Sequence, residues 1–408
     1  MLRLVDYEME FSFPVSRIKE GKAEVVVPNL EKFRKDVWDY APSKAPVFFN
    51  PAMNLNRDLA VLVLQAYQRT INGELIISEP LAGCGVRGIR FAKEVEGICE
   101  VSLNDINPEA YKMAQHNVEL NAVDKVIKLF NMDANLFLSQ HDAPHKRFNY
   151  IDLDPFGTPI PYLDSAIRAL RSGGLLALTA TDLAPLCGVY PKVALRKYGG
   201  LALRTEYSHE IAIRLLSGCL ASAAAKHDIG VNIIFSHKNS HYIRAYALLN
   251  QGAKKASLSL QKMGFIMHCF SCFHRETVSG IIPPVKALCD ECGSPLKIAG
   301  PLWLGKIVDK DFCELVENEA SKKRTGEEDR IRKTLTLVKA ESDAPPTFFV
   351  IDHISDKLNI TIPPVSKVIK ILEKEGFKTC PTHFHTRGLK TDAPAKTVLE
   401  AVKEALKN

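Results

Sequence analysis

The 408-residue chain is too long for one ordinary core and calls for roughly two to three domains. With 46% hydrophobic and 25% charged residues, its composition is that of a globular protein and excludes a disordered or fibrous one. A net charge of +6 permits a polyanionic partner but fits many metabolic enzymes equally well.

The first residues, Met1-Leu2-Arg3-Leu4-Val5-Asp6-Tyr7-Glu8, place acids where a signal peptide needs an unbroken apolar run. The longest apolar candidate, Leu215 to Ala225, is too short to span a membrane, so a cytoplasmic location is expected. Of ten cysteines, four form two Cys-x-x-Cys pairs and the rest are scattered, a pattern that suits reduced thiols and one metal better than a disulfide framework.

Residues 1 to 70 read as a small unit: a β-like run at Ala23 to Val27, a Pro-punctuated loop from Tyr40 to Pro51, and a helix from Leu55 to Arg69. From Leu75 apolar runs alternate with helical patterns, as in a parallel sheet with crossover helices. The expected strands are Leu75 to Ser78, Val101 to Asn104, Ile127 to Phe130, Tyr150 to Leu153 and Leu175 to Thr179. A polar segment, Thr181 to Gly200, and an apolar helix, Ser208 to His227, follow. Val231 to Ser236 and Tyr242 to Leu249 then stand at hairpin spacing. Five parallel strands closed by such a hairpin resemble the Rossmann-like class I methyltransferase sheet. A polar, mixed-charge stretch, Ser321 to Arg332, leads to helical patterns at Val350 to Leu358 and Pro364 to Gly376 and a β-like basic tail from Phe377 to Lys390, together resembling a winged helix.

The first strand runs into Gly83-Cys84-Gly85-Val86-Arg87-Gly88, a G-x-G-x-x-G loop that lets the backbone approach a nucleotide at a helix start. Asp105 follows the second strand, where an acid can hold ribose hydroxyls. These features leave a dinucleotide-dependent oxidoreductase, a methyltransferase and a purely structural turn open. Asp133-Ala134, past the third strand, fits an adenine contact or a helix N-cap.

The fourth strand delivers Asp154-Pro155-Phe156-Gly157 to the carboxyl edge of the sheet, where α/β folds bind ligands. An exocyclic amine on an aromatic base is a poor nucleophile because its lone pair is delocalised. Asp154 and the Pro155 carbonyl can each accept one N–H bond, aiming that lone pair at a methyl donor, while Phe156 offers a stacking face. A simple β-turn is the competing reading.

Asp152-Leu153-Asp154-Pro155-Phe156-Gly157-Thr158-Pro159 resembles the signature of the archaeal-type tRNA (guanine(26)-N(2))-dimethyltransferase family. So do Val47-Phe48-Phe49-Asn50-Pro51 with Asn56-Arg57-Asp58, Gly85 to Phe91, Thr179-Ala180-Thr181-Asp182 with Leu186-Cys187-Gly188, and Arg196-Lys197-Tyr198-Gly199. The resemblance implies transfer of methyl groups from S-adenosyl-L-methionine to guanine N2 in tRNA, at position 26. It implies that Arg57, Gly83, Gly85, Arg87, Asp105, Asp133 and Ala134 hold the cofactor, with the arginines on its carboxylate. It also implies that Phe48 and Phe156 sandwich the guanine, with Asp154 catalytic. From the residues alone, Phe48 reads as core packing. Asp152 either orients Asp154 or simply ends the strand. The rival readings are an NAD-dependent oxidoreductase and a catalytically inactive zinc-containing RNA-binding protein.

Cys269-x-x-Cys272 and Cys289-x-x-Cys292 are separated by 16 residues, the spacing of a tetrahedral zinc site built from two knuckles. Gly293 suits the tight turn of the second knuckle, and four thiolates leave zinc no open position, so the Zn2+ is structural. From Ser366 to Lys396 seven basic residues face three acidic ones, interleaved with Phe377, His383, Phe384 and His385, as in an RNA-tracking tail. Thr382-His383-Phe384 and Gly388-Leu389-Lys390-Thr391 resemble the same family's C-terminal domain. Arg196, Lys197 and Arg204 are further phosphate candidates. The expected organisation is a methyltransferase portion over residues 1–260 and a tRNA-binding portion over 261–408, with the cysteines inside 264–300. The sequence is silent on assembly, and a monomer is the working expectation.

Overall fold

The computed structural model describes residues 11–34, 41–239, 241–280, 282, 284, 286–323 and 326–407. The first ten residues, Tyr40 and positions 324 and 325, on which parts of the reading above rest, lie outside them.

A hairpin of β1 (Val15–Glu20) and β2 (Ala23–Pro28) precedes α1 (Asn54–Arg69), of which residues 55 to 67 are all buried. Then come β3 (Leu75–Glu79), α2 (Val86–Glu94), β4 (Ile98–Asn104), α3 (Pro108–Leu120), β5 (Ile127–Phe130), α4 (Ala134–Ser139), β6 (Phe148–Leu153), α5 (Leu163–Ala169) and β7 (Leu170–Ala180). Asn107 caps α3 through its side chain ahead of Pro108, so that helix starts where the sequence stops being able to extend β4. The polar segment after β7 folds into two short helices, α6 (Leu183–Leu186) and α7 (Pro191–Tyr198).

Next are α8 (Ser208–Ala225), β8 (Ile229–Asn239), β9 (Tyr242–Gln251) and α9 (Ala253–Leu260). The seven strands from β3 to β9 form one sheet of order β5-β4-β3-β6-β7-β9-β8. β3 pairs in parallel with β4 and β6, β4 in parallel with β5, and β8 antiparallel with β9. This is the Rossmann-like methyltransferase sheet expected from the sequence, including its closing hairpin.

The remainder comprises β10 (Met263–His268), β11 (Arg275–Ser279), β12 (Lys297–Trp303), α10 (Lys310–Lys322), α11 (Glu328–Ala340), β13 (Phe349–Val350), α12 (Ile351–Leu358), α13 (Val365–Lys374), β14 (Thr379–Pro381), β15 (Gly388–Thr391) and α14 (Ala395–Glu404). β10 is the centre of a three-stranded antiparallel ribbon, and β13-β15-β14 form the small sheet of a winged helix behind α12 and α13. The mixed-charge stretch runs from the end of α10 into the start of α11, and Ile331, Leu335 and Val338 give α11 a buried stripe. α14, absent from the sequence reading, is built the same way on Ala395, Val398, Ala401 and Val402. No helix of the described residues is long and apolar enough to cross a membrane.

Two compact units divide the chain: Met1–Asp154, Asp164–Ala177 and Leu315–Arg332 form one; Pro155–Leu163, Leu178–Glu314 and Lys333–Asn408 form the other. Within the second, Glu210 of α8 accepts bonds from Arg214 Nη2 at 2.8 Å, Lys390 Nζ at 2.7 Å and the Thr347 backbone N–H at 3.1 Å. Glu341 accepts from Thr382 Oγ1 at 3.0 Å and pairs with His383 Nδ1 at 2.8 Å. Phe384 is buried and stacks on Phe348. Lys390, His383 and Phe384 therefore hold the terminal domain onto α8 and its neighbours. The expected RNA-tracking tail is corrected at these positions: a lysine 2% exposed and ion-paired offers nothing to a phosphate.

Burial alone would push Glu210 up, but Lys390 and Arg214 hold its carboxyl at about 2. The stability it contributes is complete above its ordinary value of 4.5 and is lost as pH falls from there through about 2. Replacing Lys390 with Met leaves the buried Glu210 charge to Arg214 and the Thr347 N–H and is expected to cost about 1.5–3 kcal/mol at neutral pH. Thermal unfolding followed by circular dichroism checks this, and the difference between variant and wild type should shrink as the medium is acidified through that window.

Candidate active site

The glycine loop joins β3 to α2 with Gly83 at φ +54° and Gly85 at φ +77°, a backbone region that disfavours side chains. A Cβ on Gly83 would stand 3.0 Å from the carbonyl oxygen of Phe48. The loop carrying Phe48 thus lies directly against the glycine loop, a proximity that sequence spacing could not reveal. The Gly83 N–H donates to Asp105 Oδ2 at 2.8 Å and the Asn107 N–H to Oδ1 at 3.0 Å. Burial pushes the Asp105 carboxyl up, and these two N–H bonds oppose the shift. Asp133 caps α4, with Oδ1 accepting from the N–H groups of Asn135 at 2.9 Å and Leu136 at 3.1 Å. Ala134, the next residue, is buried at the start of the helix.

Arg57, expected on a ligand carboxylate, is engaged by protein groups. Its Nε and Nη2 grip Glu20 Oε1 and Oε2, each at 2.6 Å, and Nη1 and Nη2 donate to the Asn50 carbonyl at 3.2 Å. Arg90 joins the same cluster through Glu20 at 2.9 Å, Asp58 at 2.6 Å and Glu94 at 2.8 Å. Burial raises Glu20, yet the two arginines hold it below its usual value. The cluster ties the β1–β2 hairpin, the Phe48 loop, α1 and α2 together.

Arg87 is the junction of the site. Its Nε faces Glu79 Oε1 at 3.2 Å, Nη1 donates to Asn56 Oδ1 at 2.8 Å and stands 3.6 Å from Asp152 Oδ2, and Nη2 bonds Asp154 Oδ2. Asp152 is fully buried and accepts from Tyr150 Oη at 2.7 Å, so it does more than end a strand in a polar residue. Glu79, also buried, accepts the Gly88 N–H at 3.1 Å.

In the second unit, the loop after Pro155 is pinned through Gly157. Its N–H donates to Thr181 Oγ1 at 2.8 Å, and its carbonyl accepts from the Thr181 N–H at 2.8 Å. Asp182 accepts from Tyr198 Oη at 2.5 Å and from Lys197 Nζ at 3.2 Å. Lys197 is thereby engaged, whereas Arg196 and Arg204 are exposed. Phe156 is 59% exposed, a large apolar face presented to solvent.

The four cysteines form two matching knuckles. Cys269 N–H donates to His274 O at 2.8 Å and Cys289 N–H to Ser294 O at 2.9 Å; Phe273 N–H returns to Cys269 O and Gly293 N–H to Cys289 O. Phe273 and Gly293 both have positive φ, 62° and 70°. The four Sγ atoms all lie within 4.8 Å of one another, and none of the four is in a disulfide. Tetrahedral thiolates around zinc stand about 3.8 Å apart, so this donor set fits a metal held by four cysteines.

Residues 21–403 match the family described as N2,N2-dimethylguanosine tRNA methyltransferase. The chain belongs to this family. A tRNA (guanine(26)-N(2))-dimethyltransferase of Methanobrevibacter smithii is 38% identical, over 96% of this chain and 98% of its own. The tRNA (guanine(26)-N(2)/guanine(27)-N(2))-dimethyltransferase of Aquifex aeolicus is 34% identical, over 95% of each. A solved complex of Trm1 from Pyrococcus horikoshii with S-adenosyl-L-methionine superposes with a TM-score of 0.83 at 33% identity, covering 95% of this chain and 99% of that one.

Family membership takes the glycine loop away from the oxidoreductase reading, and with Asp154-Pro155-Phe156 intact it leaves the inactive-scaffold reading without support. Sequence reasoning missed Glu79, Asn56 and the Glu20–Arg90 cluster. An acid at the very end of the strand before a glycine loop was the one available sign of Glu79. For Arg57, substitution by Met should lower the thermal midpoint even without cofactor, by an amount equivalent to about 3–5 kcal/mol. Differential scanning fluorimetry measures that shift directly.

Proposed function

We propose that the chain transfers methyl groups from S-adenosyl-L-methionine to the exocyclic N2 of guanine 26 in tRNA, giving N2-methyl- and then N2,N2-dimethylguanine. The observation that carries this reading is Asp154, held by Arg87 where β6 ends and followed immediately by Pro155 and the exposed Phe156. The cofactor supplies a methyl group already activated by its positive sulfur. The backbone at Gly83 and Gly85, where a side chain would fill the space, suits the close approach of a nucleoside. Asp105 takes the ribose hydroxyls, its oxygens having lone pairs beyond the two N–H bonds they accept. Asp133 takes the adenine amine, with Ala134 against the ring. Arg87 and Arg57, which the resemblance assigns to the methionine carboxylate, act in this reading through the protein groups they hold, Arg87 through Asp154 and Arg57 through the Asn50 carbonyl.

The guanine is rotated out of its stack, and the resemblance gives Phe48 and Phe156 the role of stacking on it. Asp154 and the Pro155 carbonyl accept its two N–H bonds and hold the N2 lone pair in line with the methyl carbon, alignment worth roughly 7–11 kcal/mol. The new N–C bond forms as the S–C pair returns to sulfur, and the proton shed by N2 passes to Asp154 or to water. After one transfer N2 keeps a single N–H, so one acceptor suffices for the second round.

We assign residues 1–260 to catalysis and 261–408 to holding tRNA. In the latter, Lys367, Lys370 and Lys374 line the exposed side of α13. Zinc belongs at Cys269, Cys272, Cys289 and Cys292 as a structural ion.

Purified protein incubated with methyl-labelled cofactor and unmodified tRNA should yield dimethylated guanine 26 by nucleoside mass spectrometry; no transfer to any tRNA defeats the proposal. Asp154→Ala should lower transfer by about 10²-fold or more while cofactor affinity stays within about threefold, since the acceptor of the guanine amine is lost and the groups assigned to the ribose and adenine are untouched. Elemental analysis should find one zinc per chain. Chelation should then lower the thermal midpoint, because site assembly and folding are coupled.

A further inference from the structure

We propose that Glu79 is a positioning residue for methyl transfer: acting through Arg87, it governs how firmly Asp154 is held and therefore how strongly Asp154 accepts the guanine amine. The inference rests on the methyl-transfer reading above.

The geometry is a relay with no slack. Glu79 is clamped from both sides by α2, its Oε2 taking the Gly88 N–H at 3.1 Å and its Oε1 facing Arg87 Nε at 3.2 Å. Arg87 is fixed at Nη1 by Asn56 Oδ1 at 2.8 Å and meets Asp154 through Nη2. A change of charge on Glu79 is therefore felt at the opposite end of one rigid, planar guanidinium.

The groups facing Glu79 are Arg87 from α2, Asp152 from β6, Asp154 just after that strand, and Cys84 from the glycine loop. One cation thus serves three carboxyls. Burial pushes the Glu79 carboxyl up to about 8, Asp152 and Asp154 push it the same way, and Arg87 with the Gly88 N–H opposes them. At neutral pH Glu79 is mostly protonated, and Arg87 is given over to Asp154 and Asp152. As pH rises through about 8, Glu79 ionises, draws on the guanidinium, and loosens its hold on Asp154. Methyl transfer moves positive charge from sulfur to N2, next to Asp154, so a less neutralised Asp154 favours the transition state. The sign follows: transfer is slower below that pH and faster above it.

The test is single-turnover methyl transfer from labelled adenosylmethionine to an unmodified tRNA transcript, across about pH 6 to 10. Wild type should show a rising limb centred near pH 8. Glu79→Gln, neutral at every pH and similar in shape, should lose the limb and run about tenfold slower than wild type at the alkaline end, with tRNA KM and cofactor affinity changed less than about twofold. Glu79→Asp, which restores an ionisable group at shorter reach, should recover a limb at a shifted pH. A limb that survives unchanged in Glu79→Gln, or a flat wild-type profile, overturns the proposal. Should Glu79→Gln fail to fold by circular dichroism, an unshifted limb in Glu79→Asp overturns it instead. A wild type that moves no methyl to tRNA at any pH defeats the proposed function rather than this relay.

Discussion

Helix α2 can approach the sheet as closely as it does only because residue 88 has no side chain. A Cβ there would stand 2.3 Å from Leu103 Cδ2, deep inside van der Waals contact, and Leu103 is itself buried in β4. The consequences radiate from that one close approach. It lets the Gly88 N–H reach Glu79, it seats Gly85 in its left-handed turn, and it sets the two arginines of the helix at their working depth. The third glycine of the loop thus serves packing, while the first two leave room at the helix start.

The two arginines of α2 divide their labour. Arg87 gathers Glu79, Asp152 and Asp154 at the carboxyl end of the sheet; Arg90, one turn later, gathers Glu20, Asp58 and Glu94. Both are almost completely buried, so each must repay its desolvation with several well-placed partners. Arg57 shares Glu20 with Arg90 and also holds the carbonyl of Asn50, two residues after Phe48. The loop that carries an aromatic to the glycine turn is therefore positioned by side chains that grip its backbone carbonyls, Arg57 at Asn50 and Asn107 at Pro46.

The sheet was legible because β3 to β6 are short apolar runs at regular intervals, and the β8–β9 pairing announced itself by spacing alone. Asp154 was legible because a strand pointed at it. Phe48 was not, since its place depends on a backbone approach to Gly83 across many residues of sequence. Glu79 reads as an ordinary strand end until burial and Arg87 give it a different chemistry. Lys390 misled in the opposite direction: a basic residue among aromatics looks like a nucleic-acid contact, and only the fold reveals Glu210 waiting for it. Charge in a sequence carries sign but not depth, and depth decides between a solvated contact and a buried pair.

The first cysteine knuckle contains Phe273 where the second contains Gly293, both in the left-handed region. A phenylalanine accepts that conformation at a cost, and its ring is partly buried against the terminal core of Ile354, Val368, Leu389 and their neighbours. Lys357 of α12 lies 4.9 Å over the same ring and donates to the Ser271 carbonyl within the knuckle. The cysteine site and the winged helix therefore share a side chain that neither can spare. A change in the shape of that knuckle is therefore passed directly to the packing of the last helices, and a loosening of those helices is passed back to the cysteines.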